Sequence, residues 1–157
     1  MFFSVMPTDR KLLDPHRAVT RRQRPSILLV DDEAVVRLLV KALLKLHFGA
    51  KVVEAASNAK AFRAAIRRTF DLVITDYGRS GGDGLAFLRA FKALYPGVPV
   101  VIHSGQVAAI RQRARRLGAS ACIQKMVTQP RLRIIERVLS QAAGGISGQS
   151  PRRARSR

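Results

Sequence analysis

Between residues 26 and 124 the chain alternates short apolar runs with stretches of helical periodicity. The runs are 27–30 (ILLV), 51–54 (KVVE), 72–75 (LVIT), 98–102 (VPVVI) and 121–123 (ACI). The first is a β-branched and leucine run directly after Pro25 and Ser26, the pattern of a strand buried on both faces. From 34 to 47, Val36, Leu39, Leu43 and Leu46 recur at helical spacing, and Gly49 is a suitable stop. Ser57 or Asn58 can cap a helix to 68, with Ala61, Phe62, Ala65 and Ile66 expected inside. A third helix is expected over 85–95, with Phe87, Leu88, Phe91 and Leu94 apolar, before Pro96 and Gly97. Two more follow: 107–117, ended by Gly118, and 130–141, with Thr128 as a possible cap. Five strand–helix units predict an α/β fold: a doubly wound, five-stranded parallel sheet, two helices on one face and three on the other.

The ends of these runs carry the chemistry. Asp31 and Asp32 follow the first, Asp76 the third, Ser104 the fourth and Lys125 the last. If the runs are parallel strands, their carboxyl ends lie side by side, which is where open α/β sheets bind ligands. Three carboxylates gathered there raise one another's pKa unless a cation joins them. Oxygen ligands of this kind suit Mg²⁺, which accepts one or two carboxylates together with phosphate oxygens. A carboxylate can also act as nucleophile towards phosphorus. Lys125 offers a point charge to a phosphoryl group and Ser104 a neutral hydroxyl donor.

Composition narrows the class. The 157 residues suit one domain, and no apolar run nears the roughly 20 residues of a membrane span. The apolar start, residues 1–6, lacks a basic leader and a cleavage site, so the chain reads as cytoplasmic. The single cysteine, Cys122, excludes an internal disulfide and a cysteine-rich zinc site. Net charge is +19, with Arg outnumbering Lys 22 to 7. Residues 1–25, basic and broken by three prolines, read as a flexible arm; 142–157 read as a basic disordered tail; 26–141 form the domain. Such charge invites acidic partners or nucleic acid, but no aromatic residues interleave with the basic ends and no DNA-reading module follows the domain. Arg111, Arg113, Arg115 and Arg116 crowd one helix, where a solvated face is the default and an acidic partner the sharper reading.

Val30-Asp-Asp-Glu33, Asp76, Asp83-Gly84, His103-Ser-Gly105 and Gly118-Ala119 with Lys125 together resemble the receiver domain of two-component response regulators. The resemblance implies a flavodoxin-like fold of receiver type. It implies that Asp76 is the phosphoacceptor, taking phosphate from a histidine kinase or histidine phosphotransfer protein. Mg²⁺ would be held by Asp32 and Asp76, by Asp31 through water, and by the Gly78 backbone carbonyl. Ser104 and Lys125 would contact the phosphoryl group. The chemistry is self-phosphorylation and loss of phosphate at an aspartate, without a metabolic enzyme's activity. The expected role is that of a single-domain response regulator acting on an unknown downstream protein.

Three departures from the family pattern matter. A Met-Pro pair usually found between Asp76 and Asp83 is replaced by Arg79-Ser-Gly-Gly82, which predicts a more flexible loop with an extra cation. The proline that normally follows the lysine in a cis bond is Met126, where a cis peptide would cost about 3 kcal/mol. The strand position that usually carries a switch aromatic is Cys122. These departures favour an alternative: a degenerate receiver working as a phosphorylation-independent interaction module, its basic tails binding nucleic acid or an acidic partner. His103 alternates with Ser104 and is expected to point away from the site into the core; His16 and His47 have no ligand partners in the sequence.

Overall fold

The computed structural model describes residues 24–79, 82–125 and 128–145. The expected basic arm, apart from its last two residues, and the tail beyond residue 145 lie outside them, as do Ser80, Gly81 and Met126. In chain order the elements are β1 (Ser26–Val30), α1 (Ala34–Phe48), β2 (Lys51–Ala55), α2 (Asn58–Arg67), β3 (Leu72–Asp76), β4 (Gly78–Arg79), β5 (Gly82–Asp83), α3 (Gly84–Leu94), β6 (Val100–Ser104), α4 (Val107–Arg116), β7 (Ala121–Gln124) and α5 (Gln129–Gly145).

Five strands form one parallel sheet in the order β2-β1-β3-β6-β7. The inner strands β3 and β6 are buried along their whole length, while the edge strands β2 and β7 are partly exposed. Alternation along the strands divides the core in two. Leu28, Val30, Val73, Val100 and Ile102 face α2, α3 and α4. Ile27, Leu29, Leu72, Ile74, Val101 and Ile123 face α1 and α5. The first layer also holds a run of rings, Phe62, Phe87, Phe91 and Tyr95, with neighbouring centroids 4.8 to 6.0 Å apart.

Several elements differ from the sequence reading, each for a local reason. The fourth sheet strand begins at Val100, because Pro99 has no N–H for the ladder, and it continues through Ser104. The helical phase of α1 buries Val40 and Leu44 and leaves Leu39 59% and Leu46 77% exposed. With eight large aliphatic residues between Val35 and Leu46, two helical phases were available to that segment, and contact with the sheet selects the Val36-Val40-Leu44 row. Ile66 is likewise exposed, because Ala61 and Ala65 set the inner line of α2. Leu94 is exposed at the end of α3. The last helix runs past residue 141 through Ala142 and Ala143, both strong helix formers, to Gly145.

Caps fix where the helices start and stop. Ser57 Oγ accepts the Lys60 N–H at 3.3 Å and Asp83 Oδ1 accepts the Leu85 N–H at 2.8 Å. Gly49 closes α1 with φ of 60°, a left-handed position that suits glycine. Where the sequence suggested only a flexible loop after Asp76, β4 and β5 pair as a small antiparallel ladder, Gly78 opposite Asp83 and Arg79 opposite Gly82.

Candidate functional site

Two neighbouring strands of the sheet, β1 and β3, end in a common acidic pocket. Asp31 leaves β1, with its N–H bonded to the Ala55 carbonyl at 3.1 Å, and Asp76 is the last residue of β3. Asp31 and Asp76 are buried, Asp32 is half-buried, and one carboxylate oxygen from each lies within 4.8 Å of the others. Asp31 Oδ1 accepts the Glu33 N–H at 2.8 Å, and Asp76 Oδ1 accepts the Gly78 N–H at 3.2 Å. The other oxygen of each, Asp31 Oδ2 and Asp76 Oδ2, has no hydrogen-bond partner. Burial pushes the Asp31 carboxyl above its ordinary range, against the Glu33 N–H and the charge of Lys125, which pull it down.

Lys125 stands over this pocket just beyond β7. Its N–H donates to the Ser104 carbonyl at 2.9 Å, which ties the end of β7 to the end of β6. Its Nζ lies 3.0 Å from Asp76 Oδ2, 3.6 Å from Asp31 Oδ2 and 2.9 Å from Glu33 Oε1. The contact with Asp76 is an ion pair rather than an aligned hydrogen bond. Burial alone would lower the Lys125 pKa; the hydrogen bond to Glu33, the close contact with Asp76 and the charge of Asp31 outweigh it and raise the value. Lys125 is therefore a fixed positive charge.

Ser104 is buried at the end of β6, where its Oγ accepts the Gln106 N–H at 3.0 Å and shapes the turn into α4. Gly78 sits in β4, two residues past Asp76. Cys122 lies deeper along the sheet, opposite Ile102, half-buried against the layer of α2, α3 and α4. Burial raises its thiol pKa despite Arg111 and Arg115 nearby, as suits an inert core thiol. His103 is not remote from the pocket: it pairs in register with Asp76 and is buried. Burial, followed by the charge of Lys125, pushes its pKa down to about 4, with Asp76 acting in the opposite sense. His47 lies 3.4 Å from Gln129 on the surface, and His16 is outside the described residues.

Arg37 escaped the sequence reading, and Glu33 was named there only as part of the motif, without its contact to Lys125. Arg37 places Nη1 2.8 Å from the Asp31 carbonyl and 3.0 Å from the Asp32 carbonyl. Its Nε is 3.6 Å from Glu54, which also pairs with Lys41. Glu33, one residue past the acidic pair, accepts from Lys125 Nζ at 2.9 Å. Gly84 is required sterically. A Cβ there would lie 2.7 Å from Tyr77 Cα and closer still to the Asp76 carbonyl oxygen.

Fold and pocket define the class: a doubly wound α/β domain whose strand ends present an acidic cluster closed by a lysine. Residues 27–136 match the response regulator receiver domain, and the chain belongs to that family. A protein-glutamate methylesterase/protein-glutamine glutaminase of Anaeromyxobacter dehalogenans is 36% identical over 119 residues, 75% of this chain and 32% of that protein. The transcriptional regulatory protein ZraR of Escherichia coli O157:H7 is 40% identical over 76 residues, 48% of this chain and 17% of its own length. The chain thus spans less than a third of these curated relatives. The crystal structure of the receiver domain of NtrX from Brucella abortus superposes with a TM-score of 0.68 at 36% identity, covering 73% of this chain and 98% of that one. CheY4 of Vibrio cholerae, at 22% identity and a TM-score of 0.67 over 74% of this chain and 99% of its own, shares the fold. No helix among the described residues is long and apolar enough to cross a membrane.

Proposed function

We propose that Asp76 accepts a phosphoryl group from a histidine kinase or histidine phosphotransfer protein, and that the domain passes the signal on by protein–protein contact. The observation that carries this reading is the placement of Lys125 Nζ 3.0 Å from a buried Asp76 oxygen that has no hydrogen-bond partner. That oxygen is the nucleophile. Its lone pair forms the O–P bond as the P–N bond of the donor's phosphohistidine breaks, and the electron pair leaves with the imidazole. Lys125, also held by Glu33, balances charge on the incoming phosphoryl oxygens. Ser104 Oγ uses a lone pair on the Gln106 N–H and keeps its own proton for a phosphoryl oxygen.

The residues fit Mg²⁺. Three oxygens from Asp31, Asp32 and Asp76 lie within 4.8 Å of one another, and Asp31 Oδ2, left without a hydrogen bond, is a hard donor in a buried setting. Asp32 and Asp76 would hold the ion directly and Asp31 through water, with the Gly78 carbonyl adding a further oxygen. Bound there, Mg²⁺ supplies the positive charge that lets three carboxylates and a phosphoryl group share one pocket.

Incubation with acetyl phosphate, or with beryllofluoride and Mg²⁺, is expected to modify the wild-type chain and leave Asp76→Asn unmodified, read by intact-protein mass spectrometry or ¹⁹F NMR. Equal incorporation into Asp76→Asn overturns the assignment. A second reading, a phosphorylation-independent interaction module, draws support from the same lysine. Lys125 already neutralises part of the cluster through contacts with Asp31, Asp76 and Glu33. A Mg²⁺ titration separates the two, since a pocket with no measurable Mg²⁺ affinity favours the second.

A further inference from the structure

The phosphoacceptor chemistry leaves unused a groove of about 590 Å³ between α3 and α4. Its apolar lining comes from Leu85 and Leu117 and from Ala86, Ala90 and Ala93, the alanines spaced so that all three fall on one side of α3. Its charge comes from Arg89 of α3 and from Arg113 and Arg116 of α4. None of these guanidiniums is ion-paired among the described residues. Asp83, also in the lining, already accepts the Leu85 N–H as the cap of α3.

The arginines of α4 are divided between two faces. Arg111 and Arg115 act on the Cys122 thiol of β7, whereas Arg113 and Arg116 turn to the groove. One side of α4 is thus joined to a concavity that a small apolar side chain can enter, with three cationic groups around it. We propose that this groove docks an acidic peptide segment of a partner protein, with one or two small aliphatic side chains seated among the alanines and carboxylates meeting the three arginines.

Charge selects that occupant. A second copy of the chain carries 29 basic residues against 10 acidic ones, so self-association here brings like charges together. The chain's own basic ends are excluded on the same ground. Nucleic acid would satisfy the arginines, but the lining offers no aromatic ring on which a base could stack. The groove's volume falls in the usual range for binding pockets and suits a few side chains, not a duplex. Its walls also begin at the site. Gly84 opens α3 with its N–H on the Tyr77 carbonyl at 3.1 Å, and Gln106, whose N–H meets Ser104 Oγ, precedes α4. A peptide in the groove therefore touches the elements that a phosphoryl group on Asp76 would press upon. That coupling rests on the proposed function; the docking does not.

The test needs no phosphoryl donor, so its failure is distinct from failure of Asp76 as acceptor. Fluorescence anisotropy of a labelled Glu-Glu-Leu repeat peptide is measured with the full chain, with Arg113→Gln/Arg116→Gln and with Arg111→Gln/Arg115→Gln, all at one ionic strength. The groove variant is expected to bind about tenfold more weakly and the other less than about twofold more weakly. Ala90→Glu, which places a like charge in the peptide's path, is expected to weaken binding comparably while its circular dichroism stays that of the wild type. Equal losses in the two double variants overturn the proposal, as does tighter binding of a single-stranded oligonucleotide of the same charge.

Discussion

Gly84 shows how little space surrounds Asp76. Its missing side chain lets the start of α3 rest on the Asp76–Tyr77 backbone, so a methyl group there must displace the strand end that carries Asp76. Gly84→Ala is expected to cost about 2 kcal/mol of stability and to slow modification of Asp76. Urea unfolding and phosphoryl incorporation check the two effects, and an unchanged protein in both would show that the contact relaxes freely. The residues that gather at the strand ends were legible in the sequence because each closes or follows an apolar run: Asp31, Asp32, Asp76, Ser104 and Lys125 all sit where the ends of parallel strands converge. Arg37 and Glu33 were not, because their work is done by contacts across the fold. Arg37 meets backbone carbonyls, which no residue pattern advertises, and Glu33 meets a lysine 92 positions away.

At the scale of elements, period and phase proved to be separate matters. The sequence predicted a helix over 34–47, but its surplus of Leu and Val allowed more than one face to be apolar. The sheet chose. Leu44, fully buried, is expected to lose about 3 kcal/mol on truncation to Ala. Leu39→Ala, on the exposed side, should remain within about 0.5 kcal/mol of wild type. Urea midpoints of the pair decide between the observed phase and the one that spacing alone suggested. Because the fourth sheet strand runs over Val100–Ser104, its final residue, Ser104, lies in the ladder opposite Gln124. Its hydroxyl is consequently held by strand geometry as well as by Gln106.

For the whole molecule, stability and charge are linked through His103. Buried and uncharged, it takes up a proton only near pH 4 in the folded state, while in the unfolded chain it does so near 6.5. As pH falls through that window the unfolded state gains protons first, so stability is full above 6.5 and declines towards 4. The loss is roughly 3 kcal/mol for a shift of this size. His103→Leu is expected to flatten this part of the profile, measured as urea midpoints against pH. Asp31, whose carboxyl is shifted upward, acts in the opposite sense, but it does so in both proteins and drops out of their difference. Parallel slopes for the two chains would remove His103 from the account.

The sequence by itself determined the alternation of five strands and five helices, and with it the residues that strand ends bring together. That information is local: β-branched runs, helical spacing, caps and stops act within a few residues. Only the tertiary structure decided which face of α1 is buried, that His103 lies in register with Asp76, and that Arg37 grips the carbonyls of the acidic pair. It also decided that α4 turns two arginines towards α3 and two towards β7. The reason is physical. Helical and strand periods fix directions within an element, but rotation of one element against another is set by packing over the whole sheet, where every choice of phase is made jointly.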